Sequence, residues 1–238
     1  MANYRSFSDA AESAEATETL TSRVYVTLRD RILSGDLQPG HRMVRRTLSK
    51  HLGVSHIPIT EALLRLEVDG LVENKPLYGC RVRPLTLEDV QNDQVLREAI
   101  ECQAARLCAQ NASDETLDKL LVQAKKLDRI HRRAEPNSRL ALETHMAFHA
   151  QVARATGYPV LAAELERVWF RRLMRLAWII QTRYNAVPDD WHEQLVKVIL
   201  TRDPDKAERK MREHVRYGNE FDRKAIQDYL AQTASEDA

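Results

Sequence analysis

Apolar residues recur at helical spacing along most of this chain. Val24, Leu28 and Ile32 repeat every four residues and predict a first helix. A second helix is predicted over residues 45–52, and Ser55 is a candidate N-cap for a third. Three helices joined by short polar turns are therefore expected near the start of the chain.

A short β-hairpin is predicted after these helices. Residues 71–75 and 80–83 have strand-like composition, and Pro76 to Gly79 should form the turn between them. The order of two helices, a turn, a third helix and a hairpin is that of a winged helix-turn-helix. We expect this domain over residues 20–84, and such a domain places one helix in the major groove of DNA.

The rest of the chain contains helical patterns and no convincing strand. Two helices are striped by leucines such as Leu96 and Leu117. Further helices are expected over residues 137–155, 159–184, 188–201 and 204–230. The predicted fold is mainly α, with the winged helix-turn-helix followed by an all-helical domain over residues 85–233. Residues 1–19, which are poor in large apolar side chains, should be a disordered tail, and residues 234–238 a second tail.

The charge distribution divides the chain in the same way. The net charge of the whole sequence is only +1. Residues 21–84, however, hold 11 Lys and Arg against 6 Asp and Glu. A basic segment beside a nearly neutral one is typical of a polyanion-binding module joined to a domain with another task.

Targeting signals and cysteines add little. The sequence has no signal peptide and no apolar run long enough to span a membrane, so we expect a cytoplasmic protein. Cys80, Cys102 and Cys108 form no CxxC pair, and we expect reduced, packed thiols.

Two segments of the first domain resemble the GntR superfamily of bacterial regulators. They are residues 24–40 and residues 48–72, which include Leu52-Gly53-Val54-Ser55 and Gly70-Leu71-Val72. The resemblance covers the whole predicted module. It implies a homodimeric DNA-binding protein that recognises a pseudo-palindromic operator.

The resemblance also implies which residues contact DNA. Arg46, His56, Thr60 and Gly79 occupy the contacting positions of the family. The family usually has arginine where this chain has His56 and Thr60, and commonly glutamate where Arg45 stands. A bidentate arginine–guanine contact contributes roughly 1–3 kcal/mol of base discrimination. We therefore expect an unusual operator, or greater dependence on Arg45, Arg46 and the wing.

The residues themselves suggest further contacts. Arg45 and Arg46 stand at the start of the helix-turn-helix and can reach phosphate or guanine. Ser55 begins a helix whose first amide groups can face a phosphate. Arg81 lies beside Gly79 in the wing, and Gly79 allows a close approach of the backbone to DNA. The alternative is a vestigial or protein-binding module.

A pair of histidines is the main chemical feature of the second domain. His145 and His149 are four residues apart and share one face of a helix, so two imidazoles can bind one metal ion. Their spacing is equally compatible with solvated or core histidines. Spacing alone does not join them to His192 or His214.

The second domain resembles the FCD ligand-binding domain of FadR-like GntR regulators, a bundle of six or seven helices. The resemblance rests on residues 96–101, on Phe148-His149 and on the segment from His192 to His214. It implies a metal site formed by His149, His192 and His214, with His145 replacing the usual aspartate. An all-histidine set favours Zn²⁺, or alternatively Ni²⁺, over hard oxygen-seeking ions. The alternative is a metal-free pocket of polar histidines.

The same resemblance implies a small carboxylic-acid effector that binds an open position of the metal. Arg97 matches the arginine of the family that would hold the other end of the acid. The competing interpretation of Arg97 is an exposed helix arginine paired with Glu101. Three arginines on another helix are further candidates: Arg171, Arg172 and Arg175.

The combined expectation is a ligand-responsive transcription regulator and not an enzyme. Two other classes remain open. One is a metal-dependent hydrolase that uses the histidine cluster, although residues 145–149 lack the glutamate that HExxH enzymes use as a general base. The other is a helical interaction scaffold, which would not bind DNA.

Overall fold

The computed structural model describes residues 19–75, 78–133, 139–179 and 188–236. The chain divides into two compact units, Met1–Leu85 and Thr86–Ala238. The boundary inferred from the sequence lay one residue earlier. Apart from Thr19, the expected N-terminal tail lies outside the described residues, as do residues 76–77 of the expected turn.

The first unit contains three helices and a two-stranded antiparallel sheet within its described residues. They are α1 (Leu20–Leu33), α2 (Arg45–Leu52), α3 (His56–Val68), β1 (Val72–Lys75) and β2 (Gly79–Val82). The Thr19 hydroxyl caps α1 by accepting a hydrogen bond from the Ser22 amide at 3.2 Å. The predicted apolar stripe of α1 is buried, and α1 packs against α3. The order of elements confirms the winged helix-turn-helix.

Two local features fix the geometry of the DNA-binding motif. Gly53 ends α2 in the left-handed conformation, with φ 66°, which a glycine adopts without strain. In the hairpin, Val72 lies opposite Val82 and Glu73 opposite Arg81. Leu71, Val72 and Val82 are buried, so the hairpin is anchored at its base.

The second unit is helical throughout its described residues. Its helices are α4 (Leu87–Asn111), α5 (Asp114–Arg133), α6 (Arg139–Arg154), α7 (Pro159–Ile179), α8 (Trp191–Leu200) and α9 (Pro204–Glu236). Thr86 caps α4 by accepting from the Asp89 amide at 3.1 Å, as the sequence suggests.

Two helix ends differ from the expectation. α8 begins at Trp191 and not at Pro188, because Asp190 at its N-cap has a left-handed conformation with φ 59°. α9 continues to Glu236, six residues beyond the predicted end and into the expected tail at 234–238. No glycine or proline occurs between residues 231 and 236 to stop it. The last predicted residues of α7, 180–184, lie outside the described residues.

The core of the second unit surrounds a group of buried polar side chains. Its main apolar cluster takes residues from α4, α5, α6, α8 and α9, and a smaller one from α4, α6 and α7. The polar side chains buried beside them include Arg97, Glu101, Asp128, His149, His192 and His214. Within the described ranges, every helix is too short or too polar to cross a lipid bilayer.

Candidate functional site

The first candidate site is the exposed surface of the helix-turn-helix. Ser55 occupies the N-cap position of α3, as predicted, but its hydroxyl makes no capping hydrogen bond. The first amide groups of α3 therefore gain no side-chain acceptor from Ser55. Amide groups at a helix N-terminus favour an anion such as a phosphate.

Arg45 and Arg46 lie in the first turn of α2, and both are exposed. Neither forms an ion pair with another described residue. Cations at this end of a helix are disfavoured by the helix dipole, and α2 has no acidic residue in its first turn to offset them. A negatively charged partner would offset this unfavourable placement of two arginines.

The first two turns of α3 include His56, Ile57 and Thr60. His56 is exposed, and the Thr60 hydroxyl donates a hydrogen bond to the His56 carbonyl oxygen at 2.9 Å. Its proton is therefore used within the helix, which leaves the Thr60 oxygen as an acceptor. Ile57 is 70% exposed, and the sequence reasoning missed it. The available signal was that Ile57 falls outside the buried stripe of α3.

The wing contains a neutralised arginine. Arg81 donates to Glu73, its cross-strand neighbour, through Nε at 2.7 Å. A phosphate contact by Arg81 would compete with this pair. Gly79 is exposed at the start of β2 with φ 77°, a conformation that alone accounts for glycine there. Tyr78, beside it, is 68% exposed.

The second candidate site is a cluster of four histidines that meets inside the second unit. His145 and His149 come from α6, His192 from α8 and His214 from α9. One ligand nitrogen from each lies within 4.8 Å of the others. The Nε2 atom of His149 is 2.8 Å from Nε2 of His145 and 3.3 Å from Nε2 of His214. Neighbouring nitrogens bound to one ion at about 2.0–2.1 Å are roughly 2.8–3.4 Å apart, so these separations suit a shared ion.

The centroids of the four rings form a flattened tetrahedron. Neighbouring ring centroids are 4.7, 5.1, 4.8 and 4.8 Å apart, in the order His145, His149, His214, His192 and back to His145. The two diagonals are longer, at 6.1 and 6.2 Å. A tetrahedron would make all six separations equal. The arrangement therefore lies between a tetrahedron and a square.

A buried carboxylate supports His149 from behind. Glu101 contacts Nδ1 of His149 and accepts a hydrogen bond from Nε of Arg97 at 2.5 Å. Burial works to raise the pKa of Glu101, but His149 and the Arg97 guanidinium outweigh it and hold this pKa at about 2. Glu101 is therefore charged. A carboxylate behind a histidine fixes the ring and its tautomer, as outer partners of metal ligands do.

A second carboxylate supports His192 in the same way. Asp128, on α5, lies 2.6 Å from Nδ1 of His192 and accepts the His192 amide at 3.1 Å. It also accepts the Glu193 amide at 2.9 Å, so it caps α8. The pKa of Asp128 is lowered, because the hydrogen bond from His192 and the capped amides outweigh burial. Sequence reasoning missed Asp128, since no local pattern links it to a histidine 64 residues later.

The environment keeps the cluster in a state that can bind a metal. Burial lowers the pKa of His149, and it lowers the pKa of His214 well below the usual 6.5. Neutral imidazole is the form that ligates metals. Nε2 of His192 is buried without a hydrogen-bond partner among the described residues. Because Asp128 holds Nδ1 of the same ring, Nε2 is the nitrogen left to bind an ion.

A fifth histidine, also missed, lies beside the cluster. The His131 ring on α5 is 5.2 Å from that of His192 and 5.5 Å from that of His145. Burial lowers the pKa of His131 to about 4, so this ring is neutral near pH 7. The available signal for His131 was its helical spacing, three residues after Asp128.

Arg97 forms the i,i+4 ion pair with Glu101 that the competing interpretation predicted, but the arginine is buried and not exposed. Its side chain is 2% exposed, donates to Glu101 as noted, and donates from Nη1 to the Asn219 side chain at 3.1 Å. The guanidinium also lies 4.3 Å from the Trp169 ring centre. Arg171 forms a two-nitrogen pair with Asp93. The side chains of Arg172 and Arg175 lie outside the described set.

The sequence matches two family models. Residues 20–82 match the gntR family of bacterial regulatory proteins. Residues 94–217, more than half of the chain, match the FCD domain.

Individual proteins agree with these matches. The HTH-type transcriptional repressor RspR of Escherichia coli strain K12 is 31% identical over 93 residues, which are 39% of this chain but only 41% of that protein. The Exu regulon transcriptional regulator of the same strain is 26% identical over 216 residues, covering 82% of this chain and 81% of that protein. The solved structure of E. coli McbR/YncC has the same fold, with a TM-score of 0.67 at 21% identity over 89% of this chain and 99% of the other.

Proposed function

Because this chain belongs to the GntR family of bacterial regulatory proteins and carries an FCD domain, we propose that a small carboxylic acid, bound at a metal ion in the second unit, changes its affinity for operator DNA. The relatives are transcription regulators, so the chain is a DNA-binding regulator rather than an enzyme. The observation that carries the proposal is the meeting of four histidines, two of them supported by buried carboxylates.

The DNA side of the proposal assigns contacts to the exposed residues of the helix-turn-helix. Arg45 and Arg46 neutralise phosphates or bind guanine, and Ser55 with the first amide groups of α3 holds a phosphate. His56 and Thr60 face the bases. Two members of the proposed set are in the wing, Gly79 and Arg81. Arg81 contributes least, because Glu73 already neutralises it.

The metal side assigns the ion to His145, His149, His192 and His214. When bound, the ion supplies a Lewis-acid position for a carboxylate. Neighbouring residues position the ligands. Glu101 and Asp128 hold two of the rings in place, and the Trp191 ring stacks on the His214 ring with 5.2 Å between their centroids. The sequence alone favoured Zn²⁺, with Ni²⁺ second. Four imidazole nitrogens suit either ion, so this order is kept.

The effector side assigns one end of the acid to Arg97. Its Nε and Nη1 atoms are used by Glu101 and Asn219. Its Nη2 atom lies beside Gly218 and makes no hydrogen bond to another described residue. The proposal assigns one oxygen of the carboxylate to this free donor.

The proposed assembly is a homodimer, because the proposed operator has two similar halves. A homodimer presents two recognition helices to the two halves of a pseudo-palindromic operator. A regulator must also reach the chromosome, so the proposal locates the protein in the cytoplasm.

The test is selection of bound duplexes from a random pool with the purified protein, together with metal analysis of the same sample. We expect an enriched sequence with two inverted half-sites and one divalent ion per protomer. Random recovery of duplexes would contradict the DNA contacts, and metal-free protein that takes up no added Zn²⁺, Ni²⁺ or Cu²⁺ would contradict the metal site. The two results are independent of each other.

A further inference from the structure

His131 borders the histidine cluster without belonging to it. Among the described residues, the four mutually close ligand nitrogens come from the other histidines, and His131 is not in that set. Its ring lies near two of the four histidines of the cluster, His145 and His192. Its Nδ1 atom is buried and has no hydrogen-bond partner within the described chain.

The position of His131 is fixed by the element that carries it. It lies one turn after Asp128 on α5, and Asp128 holds both the His192 ring and the first turn of α8. α5 therefore keeps His131 at the edge of the cluster between His145 and His192. A buried polar atom without a partner is disfavoured, and such atoms are retained where a ligand or a trapped water completes them.

A second metal ion is a poor explanation. Asp128, His131 and His192 do have ligand atoms within 4.8 Å of one another. Both oxygens of Asp128, however, already accept hydrogen bonds from His192 and Glu193. A second divalent ion would also add two charges to a site that one ion already leaves positive.

The charge of the site instead favours an anion. Histidines bind a metal ion as neutral imidazoles, and the buried charged groups beside the cluster are Arg97, Glu101 and Asp128. One divalent ion with these three leaves a single positive charge. One carboxylate group would neutralise that charge in a water-poor environment.

We propose that His131 hydrogen-bonds, through a ring N–H, an anionic oxygen bound to the ion of the cluster, such as one oxygen of a carboxylate. A neutral imidazole always has one N–H donor, and a charged acceptor makes this kind of hydrogen bond strong. This inference rests on the proposed metal site. It adds a second protein contact to the acid besides Arg97, on the side of His145 and His192.

The experiment uses the full-length protein loaded with Co²⁺ and titrated with acetate, followed by the visible absorption of the ion. Three variants are compared with the wild type: His131→Phe, which removes the donor, His131→Asn, which keeps an N–H near the Nδ1 position, and His51→Phe, an exposed histidine of the first unit. We expect His131→Phe to bind Co²⁺ as the wild type does. Its dissociation constant for acetate should be about tenfold higher or more. His131→Asn should recover most of this loss, and His51→Phe should behave as wild type.

Three results would overturn the inference, and they differ from one another. Equal acetate affinity in His131→Phe would show that the residue does not touch the anion. Reduced Co²⁺ content in His131→Phe would make His131 a metal ligand. Wild-type protein that binds no Co²⁺ would remove the proposed metal site, and the inference with it.

Discussion

The two candidate sites treat charge in opposite ways. On the helix-turn-helix, Arg45 and Arg46 are exposed and have no ionic partner among the described residues. At the histidine cluster, the charged side chains are nearly fully buried. Each contacts a specific partner, as Glu101 contacts Arg97 and His149. The first site is incomplete until a polyanion arrives, whereas the second is organised in advance around a small volume. Changes at the two sites should therefore have separable effects.

The largest effect is expected from His149→Ala. Loss of an outer partner of a metal ligand already costs about 10–100-fold in metal affinity, so loss of the ligand itself should exceed 100-fold. The measurement is competition for the metal with a chelator of known affinity. Operator affinity in the absence of metal and acid should stay within about twofold of wild type. His51→Ala is the control, and unchanged metal affinity in His149→Ala would remove the site assignment.

The converse change is Arg45→Ala combined with Arg46→Ala. Each arginine that binds a base contributes roughly 1–3 kcal/mol, so loss of both should lower operator affinity at least about 30-fold and should weaken its salt dependence. Fluorescence anisotropy at two salt concentrations measures both. Arg31→Ala, which removes a partly exposed arginine paired with Asp36, should change little. A drop in metal content in the double variant would show that the two sites are not independent.

Asp128→Asn tests the support of the cluster. The amide keeps one acceptor for His192 but loses the charge and the acceptor for the Glu193 amide, so metal affinity should fall about tenfold. Asp118→Asn, at an exposed position of the same helix, is the matched control. Metal affinity equal to wild type in Asp128→Asn would mean that the carboxylate only caps α8.

The pH dependence of stability should reflect the buried neutral histidines. His149, His214 and His131 have lowered pKa values, so the folded state binds fewer protons than the unfolded state below about pH 6.5. The free energy of unfolding of metal-free protein should be highest above pH 6.5 and should decrease as the pH falls towards 4. Each fully buried histidine contributes at most about 1.4 kcal/mol per pH unit.

Tryptophan fluorescence during urea unfolding measures the stability of the second unit selectively. All three tryptophans of the chain lie in the second unit, and Trp169 and Trp191 border the cluster. Stability that is constant between pH 7.5 and 5 in the presence of a chelator would contradict the assignment of neutral, buried rings.

The smallest effect is expected from Ile57→Ala. An exposed apolar side chain in the first turn of a recognition helix can contact a thymine methyl group. Its truncation should lower operator affinity only a few-fold, with the loss confined to sites that carry thymine at the contacted position. Val68→Ala removes a similarly exposed side chain at the other end of α3 and should have no effect. Equal loss on every sequence would exclude a base contact by Ile57.

The sequence predicted features that depend on local patterns. The stripe of Val24, Leu28 and Ile32, the turn at Gly53 and the cap at Thr86 all follow from spacing or from one residue type. The start of α8 did not follow, because the left-handed Asp190 has no sequence signature. The end of α9 was misplaced, because absence of a stop signal is weak evidence.

The histidine cluster shows where sequence reasoning stops. Spacing linked only His145 and His149, and resemblance to a family was needed to add the two later histidines. The supporting residues were not found in either way, because Asp128 and His192 meet only after α5 and α8 have packed. The exposure of Ile57 and the pairing of Arg81 with Glu73 likewise depend on packing and strand register.

The central claim is that occupancy of the histidine cluster changes operator affinity. It is tested most directly by measuring, on the selected operator, the affinity of wild type and His149→Ala with and without Zn²⁺ or Ni²⁺ and a panel of short mono- and dicarboxylic acids. The account predicts that at least one acid shifts the affinity of the metal-loaded wild type about 5-fold or more, within the usual range of coupling between sites, and leaves His149→Ala unchanged. An equal shift in the variant, or operator affinity that no metal or acid alters, would contradict it.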